Sequence, residues 1–223
     1  MPRRKQVLGT DETYHVLNRG VASLPIFNTD KDYRRFIQLT SYYIFIDSTL
    51  SYSSFRDLEV KQQSEYMEKL KKESRRAIDI YAFCLMPNHI HFLVRQIIDG
   101  GITLAFSKIQ NAYAKYINLK NRRAGPLFQS RFKAKRVEKD EILIHISRYI
   151  HLNPSTAFLI RPDNLENYEY SSYPTYVGIK KFDFVNPRFI LKIVGSVEKY
   201  KQFVLNQADY QKDLSKIKHL LLE

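Results

Sequence analysis

The sequence predicts an α+β fold in which an antiparallel sheet of about four to five strands carries helices on one face. Two observations predict it. Runs of β-type composition alternate with apolar runs at helical spacing, in the order β-α-(α)-β-β-α-β-α. Hydrophobic residues make up 44% of the 223 residues, which is enough to bury a sizeable core. Extensive disorder is therefore excluded for most of the length.

The first part of the chain predicts a strand, a helix and an insertion. Residues 13–19 alternate like a short strand that ends at Gly20, and a helix begins at Asp30. Residues 47–55 are rich in Ser and Tyr and predict a loop. Residues 57–76 interleave acidic and basic side chains, which is typical of a solvent-exposed helix. Together the last two segments form an insertion over residues 47–76, before the second strand.

A hairpin follows the insertion. Residues 78–86 are strongly β-type, and Pro87 and Asn88 break the run before residues 89–95 resume it. An amphipathic helix is predicted after Gly101. The hairpin strands are adjacent in sequence, so we expect them to pair in the sheet.

The last part of the predicted sheet domain is a basic strand and a helix. Residues 131–137 alternate, with basic side chains on one face. A helix begins at Asp140, and we expect Asn153 and Pro154 to end it, because proline biases the preceding residue away from helical geometry. The whole order is that of a ferredoxin-like split sheet. We place one domain at residues 1–154.

Residues 155–223 are predicted to form a separate C-terminal segment. It is rich in Tyr and Pro at first and ends in a polar helix over about residues 197–222. We expect this segment to be a helical extension of the domain that precedes it.

Charge and composition limit the classes of function. Lys and Arg number 36 against 23 Asp and Glu, a net charge of +13, which favours nucleic acid as partner and an anionic membrane surface second. The lone Cys84 excludes an internal disulfide framework and a cysteine-rich zinc site. No run approaches the roughly 18 apolar residues of a membrane span, and the basic N-terminus lacks an apolar signal core. We therefore expect a cytoplasmic protein without a membrane partner.

One pair of histidines has the spacing of metal ligands. His89 and His91 lie two apart on a predicted strand, so both imidazoles project from one face. Two histidines are too few for a structural zinc site, which usually has four protein ligands. The alternative reading is two incidental, half-buried histidines, because this spacing is common. A catalytic site with open positions needs a third ligand from elsewhere in the chain.

Position distinguishes the tyrosines. Tyr113 and Tyr116 lie on the apolar stripe of their helix, which favours core packing. Tyr149 has Asn153 four residues on, within reach of the same helix face. A phenol has a pKa of about 10 and is a weak nucleophile unless a cation activates its target or a base takes its proton. A metal held by His89, His91 and Asn153 would polarise a phosphate oxygen. Otherwise Tyr149 is one more half-buried aromatic.

A basic stretch with interleaved aromatics predicts the nucleic-acid surface. It contains no acidic residue and includes Lys115, Lys120, Arg122, Arg123, Arg131, Lys133, Lys135 and Arg136. Phe128 and Phe132 could stack on bases, as in single-strand binders, and we add Gln129 to this surface. The alternatives are a solvated charged face and, for residues 125–132, packing on the sheet. Residues 3–5, which are Arg-Arg-Lys, predict an arm against phosphates or a frayed terminus.

At this point the sequence resembles a known family. The stretch from Tyr81 to Val94, with His89-Ile-His91 at its end, resembles the HUH motif (histidine, bulky hydrophobic, histidine) of single-tyrosine, IS200-like transposases, and within them the REP-associated tyrosine transposases. Four other stretches fit the same family: residues 14–20, 125–132, 148–154 and 170–173. The resemblance covers about residues 13–175, and the order and spacing of the motifs make the set specific.

The resemblance implies a nuclease core that cuts single-stranded DNA beside hairpins or palindromic repeats. Its catalytic tyrosine falls on Tyr149, and its metal ligands fall on His89, His91 and Asn153. Related transposases use a glutamine as third ligand, so the asparagine is a departure, and so is the insertion at residues 47–76. The metal would be Mg²⁺ by resemblance, whereas imidazole ligands alone favour Mn²⁺. No nucleotide cofactor is needed.

The resemblance assigns residues 1–154 as the catalytic domain. Tyr149 would attack a phosphodiester, release a 3′-hydroxyl and keep a 5′-phosphotyrosine that another hydroxyl can attack to rejoin DNA. Two rivals stay open: a non-catalytic nucleic-acid-binding protein, and a metal-dependent nuclease in which water replaces Tyr149. A monomer and a homodimer are equally compatible with the sequence.

Overall fold

The computed structural model describes residues 7–206. The basic residues 3–5 and the end of the predicted C-terminal helix lie outside that range. The strands are β1 Thr13–Arg19, β2 Ile78–Met86, β3 His89–Gln96 and β4 Lys133–Val137. The helices are α1 Asp30–Tyr43, α2 Tyr52–Arg56, α3 Val60–Glu73, α4 Gly101–Lys120, α5 Asp140–Thr156, α6 Tyr173–Tyr176, α7 Arg188–Val194 and α8 Val197–Leu205. Short 3₁₀ helices span Val21–Ser23 and Pro162–Asn167.

The described strands form one antiparallel sheet in the order β2-β3-β1-β4. The predicted hairpin of β2 and β3 is present, and β1 inserts beside β3 although about 70 residues separate them in sequence. This order, with a helix after β1 and another after β3, confirms the ferredoxin-like split sheet.

Helices cover both faces of this sheet, so the expectation of helices on one face is wrong. Phe92 in β3 contacts Phe36 of α1 and Phe106 of α4, with ring centroids 6.3 and 5.2 Å apart. On the opposite face His91 contacts Tyr149 of α5. The physical reason is the composition of β3, in which every residue from 90 to 94 is fully buried, so both faces need a covering layer.

The insertion is more helical than predicted. Helix α3 falls within the predicted charged helix, but residues 47–55 are not all loop, because α2 begins at Tyr52. Ser51 caps α2 by accepting a hydrogen bond from the backbone N–H of Ser54 at 3.0 Å. Tyr52 and Phe55 are buried against Tyr42 of α1. The aromatic side chains therefore turn a polar stretch into a packed helix.

Helix α5 continues past the point where we expected it to end. Asn153 and Pro154 are both helical, and the N–H of Ala157 still donates to the Asn153 carbonyl at 3.0 Å. Pro154 lies in the last turn, where it removes a single helical hydrogen bond and the helix stops within three residues. Tertiary burial of Leu152 and Asn153 outweighs the local bias against helix before proline.

The C-terminal segment packs on the outer strand of the sheet and on α5. Ser172 accepts a hydrogen bond from the backbone N–H of Phe83 in β2 at 2.8 Å. His151 of α5 contacts Ser172 and Tyr200 at 2.7 and 2.8 Å through its two ring nitrogens. Within residues 7–206, no helix is long and apolar enough to cross a membrane.

Candidate active site

The histidine pair lies at the start of β3, next to the turn of the hairpin. His89 is the first residue of the strand, and strand alternation places its side chain and that of His91 on the face covered by α5. Their ring centroids are 4.8 Å apart. His91 is fully buried, whereas His89 is partly exposed at the mouth of the site. The structure thus brings together the two imidazoles that the sequence predicts as metal ligands.

His89 has the hydrogen-bond pattern of a ligand imidazole. Its Nδ1 lies 2.6 Å from Oδ1 of Asn88, which can only accept, so Nδ1 carries the proton and Nε2 carries the lone pair. Nε2 is buried and has no hydrogen-bond partner among the described residues. Burial, followed by the positive charge of Arg19, lowers the pKa of His89 to about 4. At neutral pH the ring is therefore uncharged and able to bind a cation.

A third histidine orients the ring of His91. Nε2 of His15 in β1 lies 3.0 Å from Nδ1 of His91, and the two rings are stacked with centroids 5.2 Å apart. Burial, and then the neighbouring His15 and His89, hold the pKa of His91 well below its usual value. A hydrogen bond on one imidazole nitrogen fixes ring orientation at metal sites. Sequence reasoning missed His15, because only the register of β1 with β3 brings it to this face.

Tyr149 lies over the histidines. Its ring is nearly perpendicular to that of His91, with centroids 5.5 Å apart, and it contacts His15 edge-on at 6.0 Å. Helix α5 packs on the sheet and directs the Tyr149 side chain towards β3, so only 5% of the residue is exposed. The predicted nucleophile and both predicted histidine ligands therefore share one site on one face of the sheet.

Asn153 lies one turn beyond Tyr149 on α5 and is buried. Its Nδ2 donates to the Tyr149 carbonyl at 2.9 Å, which holds the amide along the helix. In residues 7–206, no three side chains of the His, Cys, Asp and Glu types cluster as metal ligands. Among residues 7–206, a third protein ligand would therefore be of another type, and an amide oxygen fits that need. The assignment of Asn153 stays a prediction.

Arg19 is a second residue that sequence reasoning missed. It pairs with His89 across β1 and β3, which puts both side chains on the same face. Arg19 is partly buried, and no acidic side chain of the described residues forms an ion pair with it. An arginine next to two uncharged imidazoles leaves an excess of positive charge, which suits an anion. The alternation of residues 13–19 predicted that Arg19 lies in a strand. The sequence did not show that this strand pairs with β3, which puts Arg19 opposite His89.

The predicted basic surface is exposed, and its members differ in what they contact. Its lysines and arginines are exposed: Lys115, Lys120, Arg122, Arg123, Arg131, Lys133, Lys135 and Arg136. Gln129 is also exposed, and its N–H donates to the Arg19 carbonyl. Strand register places Lys133 and Lys135 on the same face as the histidines, opposite Leu17 and His15.

Arg136 and Lys120 of this surface form ion pairs with acidic residues of the protein. Arg136 makes a bidentate pair with Glu12 at 2.6 and 2.8 Å, and strand alternation turns it to the other face. Lys120 lies 2.6 Å from Asp32, a fully buried carboxylate in the first turn of α1. Burial would raise the pKa of Asp32, but hydrogen bonds, from Lys120 above all, outweigh it and lower that pKa. Lys120 therefore has a structural role at the junction of α1 and α4.

Phe128 and Phe132 are buried, 8% and 6% exposed, so neither ring offers a surface on which bases could stack. Phe132 packs against Phe106 of α4, with centroids 5.3 Å apart, and Phe128 bridges to Gly20 after β1. The packing alternative describes this segment, and the stacking expectation is corrected. The two rings are buried with the apolar core, whereas the basic side chains around them in sequence are exposed.

The competing tyrosines lie away from the histidines. Tyr113 is fully buried among Phe27 and Phe36, and its hydroxyl donates to the Ile26 carbonyl at 2.7 Å. The hydroxyl of Tyr116 donates to Asp32 at 3.1 Å. Both lie on the face covered by α1 and α4, so the structure confirms their core-packing interpretation.

Comparisons with known proteins agree with this geometry. Residues 50–153 match the family described as "Transposase IS200 like", and this range holds α3, the hairpin, α4, β4 and most of α5. No curated protein sequence matches the chain. Among solved structures, "Structure of the REP associates tyrosine transposase bound to a REP hairpin" is similar in fold, with a TM-score of 0.52 and 14% identity over 83% of this chain and 97% of that one. Residues 50–153, which carry the histidine pair and Tyr149, belong to the IS200-like transposase family.

Proposed function

We propose that this protein is a metal-dependent transposase that cleaves and rejoins single-stranded DNA next to hairpins through a 5′-phosphotyrosine on Tyr149. The observation that carries the proposal is the contact of Tyr149 with His91, which is itself in contact with His89. The family of residues 50–153 supports DNA strand transfer, and the similar solved structure holds a REP hairpin, which supports a hairpin as partner.

The residues at the site fit a divalent cation. The buried, unpartnered Nε2 of His89 and the oriented ring of His91 would supply two nitrogens, and the amide oxygen of Asn153 would supply a third ligand. When bound, Mg²⁺ or Mn²⁺ would hold the scissile phosphate and neutralise charge on its non-bridging oxygens. His15 and Asn88 would keep the two imidazoles in their binding orientation.

The chain's own residues perform the remaining steps. Tyr149 Oη loses its proton to solvent water and forms a bond to phosphorus in line with the 3′ oxygen. The bond from phosphorus to that oxygen breaks, and the oxygen takes up a proton as a free 3′-hydroxyl. The phosphodiester energy is kept in the tyrosyl ester, so a hydroxyl of DNA can attack it and restore a phosphodiester.

Positive side chains on the same face would guide the strand to Tyr149. Arg19 lies beside His89, and Lys135 projects from β4 on the far side of His15. An arginine guanidinium can donate two hydrogen bonds to one phosphate, so Arg19 would bind the phosphate that is cleaved. The exposed Arg122 and Arg131 lie outside the strands and would extend contact along the backbone.

Covalent capture tests the nucleophile. Wild-type protein incubated with hairpin-bearing single-stranded DNA and Mg²⁺ or Mn²⁺ should give a protein–DNA adduct that survives denaturation. Tyr149→Phe should abolish the adduct and retain DNA binding, because only a hydroxyl is lost. Tyr113→Phe is the matched control and should still form the adduct, because its hydroxyl bonds a backbone carbonyl on the other face.

The three outcomes separate the competing functions. Cleavage that releases free ends without an adduct in wild-type protein would point to a water nucleophile. Binding without any cleavage would point to a non-catalytic DNA-binding protein. An adduct that persists in Tyr149→Phe would assign the nucleophile elsewhere and contradict the proposal.

A further inference from the structure

A second basic site lies at the β2 edge of the sheet, away from the histidines. We propose that this cleft, between the insertion and the C-terminal segment, binds the phosphate backbone of a duplex DNA stem. This proposal rests on the proposed function for the identity of the DNA as a hairpin. It adds a separate contact for the paired part of the substrate and gives a role to the insertion.

The cleft is large and positively charged. It has a volume of about 960 Å³, and its basic lining residues are Lys71, Arg76, Lys180, Lys181 and Arg188. Asp183 is the acidic residue among those lining it, and Arg76 and Lys180 also pair with Asp79 and Glu169 outside the lining, so five positive charges minus three negative charges leave an excess of two. A hydrogen bond from Lys71 at 3.0 Å is the main reason that the pKa of Asp183 is lowered. A concave surface with this excess attracts a polyanion.

The walls of the cleft are fixed to the sheet. One wall is the end of α3 with Lys71, and the other is the segment that leads into α7 with Arg188. Arg76 donates to the Asp183 carbonyl at 3.0 Å, and Val185 bridges to Ile80 of β2. The positive side chains therefore converge on a preformed groove instead of being scattered over a mobile surface.

The position of the cleft suits a substrate with a paired and an unpaired part. Ile80 is four residues from Cys84, which pairs with His91 across the hairpin. Val185, which lines the cleft, bridges to Ile80, so at about 3.3 Å per strand residue the cleft lies roughly 13 Å along β2 from the position that pairs with His91, and its lining ring Phe182 packs on Phe83 on the opposite face of the sheet. A stem held here could therefore pass its single-stranded flank to the histidines.

The lining favours duplex over single-stranded DNA. Proteins that bind single strands offer exposed aromatic rings to successive bases. The rings that line this cleft, Phe45 and Phe182, are 4% and 8% exposed, and Lys180 lies over the ring of Phe182. Contacts to phosphates without contacts to bases position a DNA duplex but do not recognise its sequence. We therefore assign the cleft to the stem backbone.

A charge-matched pair of variants tests the proposal. Lys71→Ala with Arg188→Ala removes one positive charge from each wall. The control variant, Lys72→Ala with Lys192→Ala, also removes two positive charges. These residues are the neighbour of Lys71 in α3 and a residue one turn after Arg188 in α7, and neither side chain lines the cleft. Affinity for a fully paired hairpin without a flank is measured against salt concentration, and a melting temperature confirms that both variants are folded.

The cleft variant should lower the slope of log affinity against log salt by about 1 to 2, because each duplex phosphate contact contributes about 0.9. The control variant should keep the wild-type slope, and affinity for an unstructured single strand should be unchanged in both. Equal slopes in the cleft and control variants would overturn the proposal. Absence of a DNA adduct in wild-type protein would instead count against the proposed function and leave this binding result standing.

Discussion

At the scale of single residues, the site combines uncharged imidazoles with a nearby positive charge. Burial and Arg19 keep the pKa of His89 at about 4, so its ring stays neutral at physiological pH. An anion bound between Arg19 and the histidines would offset the cost of placing a positive charge beside a bound cation. The arrangement therefore favours an anion, such as the phosphate of the proposed substrate, over a neutral ligand.

Substitution of Arg19 should affect cleavage more than binding. Arg19→Ala should lower the single-turnover cleavage rate about 100-fold, the usual cost of removing one donor that stabilises transition-state charge. Arg19→Lys should recover part of the rate, because it keeps the charge but loses the planar fork. Rates are measured with a labelled hairpin substrate at saturating protein.

Arg34→Ala is the control for this prediction. Arg34 pairs with Asp30 on the surface of α1, on the other side of the sheet, so its loss should leave the rate near that of wild type. If Arg19→Ala cleaves as fast as this control, Arg19 does not contact the scissile phosphate.

The sequence predicted which side chains lie together where the pattern was local, and their catalytic and metal-binding roles stay predictions. The spacing of His89 and His91 and the position of Tyr149 were readable from the sequence, and the structure brings the three together. His15 and Arg19 were not recognised, because their place in the site depends on the pairing of strands far apart in sequence. The aromatic pattern of Phe128 misled, because burial competes with base stacking for the same residue type.

At the scale of elements, α5 connects the active site with the C-terminal segment. Tyr149 faces the histidines, whereas His151 is fully buried between Ser172 and Tyr200. Burial lowers the pKa of His151 to about 3, so it stays neutral in the folded protein. Docking of the segment that follows α5 therefore depends on an uncharged histidine.

This arrangement predicts a pH dependence of stability. An unfolded histidine has a pKa of about 6.5, so below that pH the unfolded chain binds a proton that folded His151 does not bind. Its stabilising contribution is complete above about pH 6.5 and is lost as the pH falls towards 3, by about 1.4 kcal/mol per pH unit. In urea unfolding, the stability difference between wild type and His151→Gln should therefore shrink from pH 6.5 to pH 4.5.

Other titrating groups are common to wild type and variant and cancel in the difference. A difference that stays constant over this pH range would show that His151 takes up a proton in the folded protein and would contradict its dry, neutral environment.

Element types were predicted well because strand alternation and helical spacing are local signals. The end of α5 and the helix at Tyr52 were missed, because burial of Asn153 and of the Tyr52 ring overrides local propensity. The second helical layer was missed for a related reason. The run from Ile90 to Val94 has no alternating polar face apart from His91, but a short apolar run does not show which element covers the second face of a strand.

At the scale of the whole molecule, one sheet separates the two proposed sites. Its α5 face carries the histidines and Tyr149, and its β2 edge carries the basic cleft lined by Lys71 and Arg188. The cleft accounts for five of the 36 Lys and Arg residues behind the net charge of +13. The composition indicated a polyanionic partner. The cleft could not be predicted from the sequence, because it forms only when two segments more than 100 residues apart pack together.

In the proposed reaction, Tyr149 becomes covalently joined to the 5′ phosphate of cleaved DNA. The most direct measurement is mass spectrometry of the trapped adduct after digestion of the protein and trimming of the DNA. We expect a residual 5′-phosphonucleotide on the α5 peptide, located at Tyr149 by fragmentation. A modified peptide that carries the nucleotide on any other residue, or cleaved DNA with no modified peptide, would contradict it.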